Sequence, residues 1–187
     1  MILNRFFKPK WQHPDPQIRA QAVQNLDSSD PVLTELARED EHATVRRAAL
    51  YRIADLALLW HIALEDREAG VREAAEARFR KLMTGKEPDS PALEARMNML
   101  GESVPATVMS FLVSHGADPQ LRLAALKRVD DEDLLARVAT DDAAGEVRLA
   151  ALERIRDLSI LEHVARQIRN RDKRLSRRAQ ERLKSLR

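Results

Sequence analysis

Val45-Arg46-Arg47-Ala48-Ala49-Leu50 decides how this chain is read, because nearly the same phrase returns at Leu121-Arg122-Leu123-Ala124-Ala125-Leu126 and at Val147-Arg148-Leu149-Ala150-Ala151-Leu152. Each copy adds one more apolar residue eight positions after its first: Ile53, Val129 and Ile155. Apolar offsets of 3, 4, 5 and 8 trace one buried stripe of an α-helix. The Ala pair predicts a neighbouring helix in close approach, where a larger side chain would hold it off. Looser copies begin at Ile18-Arg19, Val71-Arg72 and Ala95-Arg96, and a weaker one at Leu175-Ser176. The copies recur every 24 to 28 residues, a period to be read as a repeat before any other feature is weighed.

A second pattern sits between the anchors: Leu33-x-x-Leu36-Ala37, Leu59-x-x-Ile62-Ala63, Leu135-x-x-Val138-Ala139 and Leu161-x-x-Val164-Ala165, with Val108-x-x-Phe111-Leu112 a looser version. Each repeat therefore reads as two short helices, the first carrying the apolar-Arg anchor. Pro16, Pro31, Pro91, Pro105 and Pro119 stand where first turns are expected. Asp15, Asp40, Asp66, Asp118 and Asp142 precede the first helices and read as their N-caps. Residues 84–90, Thr-Gly-Lys-Glu-Pro-Asp-Ser, take the place of a second helix in the third repeat and predict a loop or notch.

An Asp-x(n)-Val-Arg-x-Ala-Ala-Leu helix paired with a short Leu-x-x-Leu-Ala helix resembles the HEAT-like repeats first grouped with bilin lyases. The likeness covers about residues 15–186. It implies an all-α fold, a right-handed α-solenoid (an α-α superhelix) of about six short helical pairs, some incomplete, with the second helices lining the concave face. Helices of about 10 residues are marginal alone, so stability must come from stacking neighbours. The opening Arg5-Phe6-Phe7-Lys8-Pro9-Lys10-Trp11-Gln12-His13-Pro14-Asp15 is similar to the start of an uncharacterised bacterial family that places such repeats before a long charged helical region. That likeness implies that the chain is an N-terminal fragment. The organisation expected is one HEAT-like repeat domain over 1–187. It has a cap segment at 1–14, repeats over 15–170 and a basic capping helix at 171–187.

Composition agrees with helices. Of 187 residues, 44% are hydrophobic, 33% charged and 4% aromatic, and Ala, Leu, Glu, Arg and Lys make up more than half. The chain has no Cys, which excludes disulfides, thiolate metal sites and cysteine nucleophiles. No apolar run approaches the roughly 18 residues of a membrane span, and the N-terminus lacks the apolar core of a secretory signal, so a cytoplasmic location is expected. The net charge of +2 is unevenly spread. Residues 166–187 hold 10 Lys+Arg against 2 Asp+Glu, a net +8, so the other 165 residues hold 22 against 28, a net −6.

Several features could carry function. The repeated Arg (19, 46, 72, 96, 122, 148) reads as an architectural bond from each repeat to a loop Asp or carbonyl of its neighbour; the body's negative charge argues against an anion groove. Within Leu-x-x-Leu-Ala the second variable position reads Glu35, His61, Ser110, Arg137 and His163, and Trp60 precedes His61. This row is mixed in sign and suits a protein or peptide partner better than nucleic acid, which would call for Lys and Arg throughout. Phe6, Phe7 and Trp11 read as a cover for the open end of the first repeat.

Leu175, Ala179, Leu183 and Leu186 predict a helix over 173–186, docked on the fifth clear copy of the repeat with a basic outer face. Arg171, Lys173, Arg174, Arg177 and Arg178 there are the candidate nucleic-acid contacts, the alternative function. The five histidines lack ligand spacing, and Glu41-His42 and Glu162-His163 reverse the His-Glu order of iron-binding HEAT-like enzymes. Asp130-Asp131-Glu132-Asp133 reads as charge at a helix start. No catalytic residue, cofactor, metal, membrane or small-molecule substrate is expected. The leading expectation is a non-enzymatic scaffold, with an enzyme of the HEAT-like glycosylase or lyase kind a distant third.

Overall fold

In a computed structural model, which describes residues 8–101 and 103–186, the chain is all-helical, with no strand among the described residues. Its α-helices in chain order are α1 (Pro16–Val23), α2 (Pro31–Glu39), α3 (Ala43–Leu50), α4 (Leu56–Glu65), α5 (Ala69–Met83) and α6 (Leu93–Asn98), followed by α7 (Ala106–His115), α8 (Pro119–Leu126), α9 (Glu132–Asp141), α10 (Gly145–Arg154), α11 (Leu158–Ile168) and α12 (Lys173–Leu186). A 3-10 turn, Lys10–Gln12, packs on α1. No helix of the described residues is long and apolar enough to cross a membrane.

The chain divides into two compact units. The first takes the residues up to Met83 with Glu87–Pro91, and the second takes Thr84–Lys86 and the residues from Ala92 onward. Within the first, α1 lies against α3 and α3 against α5, while α2 packs on α3 and α4 on α5. Within the second, α6, α8, α10 and α12 form one row of successive neighbours and α7, α9 and α11 a second; α7 packs on α8, α9 on α10 and α11 on α12.

The anchor stripes make these rows. Val45, Val71, Leu121 and Val147 are fully buried, as are Ala49, Ala75, Ala125, Ala151 and Ala179 four residues after their anchors. The other Ala of each full pair, at 48, 124 and 150, is half-buried. The inner Ala is thus the one that admits the neighbouring anchor helix. Each large apolar side chain taken fully from water contributes about 1.5–3 kcal/mol, which short helices cannot collect without neighbours.

The tight hairpins differ from the expected pairing. Three-residue turns at 40–42, 66–68, 116–118 and 142–144, and a four-residue turn at 169–172, join each Leu-x-x-Leu-Ala helix to the anchor helix that follows it. Side-chain caps also fall elsewhere than expected. Asp15 caps α1 through the Gln17 N–H and Asp172 caps α12 through the Leu175 N–H, but the remaining capping aspartates lie on second helices: Asp30, Asp55, Asp131 and Asp157, each accepting a first-turn N–H at 2.9–3.0 Å. Pro16, Pro31 and Pro119 open their helices, Pro105 directly precedes α7, and Pro91 lies two residues before α6. The stretch 84–92 is a loop, with Gly85 at φ +74°. The basic helix spans residues 173–186, with Leu175, Ala179 and Leu183 buried and Leu186 half exposed.

Candidate functional site

Every anchor helix except α12 carries the anchor arginine in its first turn, and in α1, α3, α8 and α10 its guanidinium does two things at once. On Arg46, Nη1 donates to the carbonyls of Asp40 and Glu41 in the turn just before its own helix, at 2.8 and 3.3 Å. Nε and Nη2 form a fork on the carboxylate of Asp66 in the next turn, at 2.8 and 2.9 Å. Arg122 repeats this with the carbonyls of Gly116 and Ala117 and with Asp142. Arg19 uses the carbonyls of His13 and Pro14 and the carboxylate of Asp40. Arg96 reaches Asp118 at 2.7 Å and Arg148 reaches Asp172 at 3.0 Å. The predicted architectural ladder is present as a forward clamp from one hairpin turn to the next. The bidentate fork is the strongest geometry available to such a pair.

The electrostatics follow from the geometry. Burial alone would raise the Asp40 and Asp66 carboxyls, but the Arg19 and Arg46 guanidiniums and the N–H groups of His42 and Glu68 outweigh it, holding both below their ordinary values. The hydrogen bond to Asp40 raises Arg19. Asp172 is lowered first by the Leu175 N–H and then by Arg148.

The turn aspartates are therefore clamp acceptors as well as Asx turns: Oδ1 of Asp40, Asp66 and Asp142 accepts the N–H two residues on, at 2.8–2.9 Å.

A second series of arginines, missed in the sequence reading, clamps backward from the other end of the anchor helices. Arg52 bonds the Leu26 carbonyl, Arg78 that of Ile53, Arg128 those of Gly101 and Val104, Arg154 that of Val129 and Arg182 that of Ile155. These carbonyls close the preceding anchor helices or the turns just after them, where unpaired C=O groups gather. Four of the five stand six residues after an anchor arginine (46/52, 72/78, 122/128, 148/154), and extending the alignment by six positions would have exposed them.

Of the predicted partner-facing row, Glu35 and His61 are exposed in the first unit, and Arg137 and His163 are exposed with Ser110 half-buried in the second. Trp60 does not belong with them. It is 7% exposed and packs on Phe79, ring centroids 4.9 Å apart. The physical reason is that this register turns inward where its residue is large and apolar, as for the fully buried Met109 of α7; Trp60 does so against the far half of the long α5. Phe6 and Phe7 lie outside the described residues, and Trp11 is half-buried in the turn on α1.

In the basic helix, Arg171, Lys173, Arg174, Arg177 and Arg178 are all exposed. Arg178 is held by Glu153 and Glu181, which raise its pKa while Arg178 lowers that of Glu153. Arg171 lies 3.8 Å from Asp141 and Arg177 3.9 Å from Glu181. Lys173 and Arg174 have no carboxylate partner among the described residues. A cleft of about 630 Å³ runs between α11 and α12, lined by Arg166, Arg169, Ser176 and Gln180 among others. The acidic run near α9 is spent structurally: Asp131 caps the helix, Asp130 pairs with Arg154, and Glu132 accepts the Arg156 N–H.

No protein-family model, curated protein or solved structure matches the chain.

Proposed function

We propose that the chain is a non-enzymatic HEAT-like scaffold, a right-handed α-solenoid of short hairpins, that binds a protein or peptide partner along its second helices. The reading rests above all on the register of Glu35, His61, Arg137 and His163, which stay exposed while the flanking Leu33, Leu59, Leu135 and Leu161 are buried. Side chains that vary at a fixed outward position, mixed in charge, offer a partner recognition without disturbing the stack. The repeated clamps support the same reading, because they hold that register in each unit separately.

Photo-crosslinking tests it. A photoreactive amino acid at His61 or Arg137 should capture one defined partner, and the same probe at Arg47 or Lys127, exposed on the anchor helices, should not. Equal capture from both faces, or none from the second helices, overturns the reading.

Binding of nucleic acid by the C-terminal helix is the second reading. It is favoured by Lys173 and Arg174, which no carboxylate among the described residues neutralises, and weakened by Arg178, which two glutamates hold. Its signature is an affinity that falls steeply with salt.

A further inference from the structure

Every forward clamp has a receptor half and a ligand half. In the clamps of Arg19, Arg46, Arg122 and Arg148 the receptor half is a guanidinium held through Nη1 on its own turn, with Nη2, and in the first three also Nε, on a carboxylate. The ligand half is an aspartate in the following turn. Arg72, half-buried in the first turn of α5, has the receptor half: its Nη1 donates to the Asp66 carbonyl at 2.7 Å. No carboxylate among the described residues pairs with it. The cause is local, because the following stretch, 84–92, is the loop that lacks a second helix; of its two acids, Asp89 pairs with Arg78 and Glu87 is half-buried.

We propose that the free edge of Arg72 is a docking point for an aspartate at the start of a helix in the partner protein. The proposal rests on the scaffold reading and gives it an anchor. The chemistry of the ligand is copied from the molecule's own turns. In Asp40, Asp66 and Asp142 one carboxylate oxygen accepts the N–H two residues on, which presents the pair of oxygens to the arginine in one orientation. A partner aspartate in such a turn meets Arg72 already ordered, so little side-chain freedom is lost on binding. A planar fork, rather than a point charge, is what the site offers.

The test uses the full chain and a capped peptide with the sequence of residues 138–154, which carries Asp142 at a helix start. The arginine Nε–Hε signals are followed by NMR as peptide is added. The Arg72 signal, assigned by its loss in Arg72→Lys, should move to saturation, while that of Arg122, already clamped, should stay still. The Asp142→Asn peptide should bind at least about tenfold more weakly, and Arg72→Lys should weaken the Asp peptide by a similar factor because the ammonium keeps the charge but lacks the fork. A still Arg72 signal, or equal binding of the Asn peptide, overturns the proposal. Its failure is separable from that of the scaffold reading, since crosslinking at His61 and Arg137 does not involve Arg72.

Discussion

Arg46 and Arg72 hold the same place in consecutive anchor helices of the first unit, and they are treated very differently. Arg46 is 1% exposed and makes four hydrogen bonds, two of them to Asp66; Arg72 is half-buried and makes one, to a carbonyl. The difference teaches that here an arginine is buried only as deeply as its carboxylate permits. Removing a charge from water is costly, and pairing with full hydrogen bonding is what offsets it. The largest expected effect follows directly. Arg46→Ala leaves Asp66 nearly buried without its guanidinium and should cost about 3–5 kcal/mol, read as a fall in the urea midpoint. A loss below about 1 kcal/mol would break the comparison, because Asp66 would then have to be well solvated.

Gly85 sharpens it from the other side. The residue sits at φ +74°, and a Cβ there would collide with the guanidinium of Arg96, the first forward clamp of the second unit. Left-handed backbone costs an L-residue about 1–2 kcal/mol, and displacing Arg96 from Asp118 adds to that. Gly85→Ala should therefore destabilise by about 2 kcal/mol or more in thermal unfolding. If Ala is tolerated, Arg96 is not fixed as a clamp requires.

Much of this was legible in the sequence, and the reason is periodicity. Helix positions, the loop at 84–90, the span 173–186 and the architectural role of the anchor arginines all follow from residues that recur at one register, although the forward direction of their bonds does not. What recurred without being apolar was harder to see. Arg52, Arg78, Arg128 and Arg154 recur just as regularly, but an arginine late in a helix reads as ordinary C-terminal charge until its carbonyl acceptor on the preceding helix is known. At the register of Trp60 the other repeats read Thr34, Met109, Ala136 and Glu162, and the polar members suggest an outward position. The apolar members decide otherwise: Met109 is fully buried at the same register and Trp60 nearly so, while Thr34 is exposed. The aspartates were assigned as caps from proximity alone, whereas three-residue turns leave Asp40, Asp66 and Asp142 facing an arginine of the previous hairpin.

Acid should weaken the paired rungs. Asp40 and Asp66 have folded pKa values below their ordinary ones. Their contribution is therefore complete above the unfolded carboxyl value of about 3.9 and is lost as pH falls through the lower folded values. The urea midpoint should hold from neutrality to about pH 5 and drop below about pH 4. Asp66→Asn, already weakened at neutral pH, should show a shallower drop. An unchanged acid slope in that variant would mean that the clamp carboxylates do not govern the acid limb.

The smallest effect is expected where the comparison began. Arg72→Ala removes one hydrogen bond to a backbone carbonyl and strands no buried acid, so its cost should stay within about 0.5 kcal/mol in the same urea experiment, roughly a tenth of that for Arg46→Ala. The near-silence is informative in itself. An arginine that contributes almost nothing to the stability of its own unit, yet stands fixed in clamp geometry, is free to spend its fork on a carboxylate from outside. A cost of about 2 kcal/mol or more would instead mean that Arg72 is already engaged within the chain, and the docking point would be lost with it.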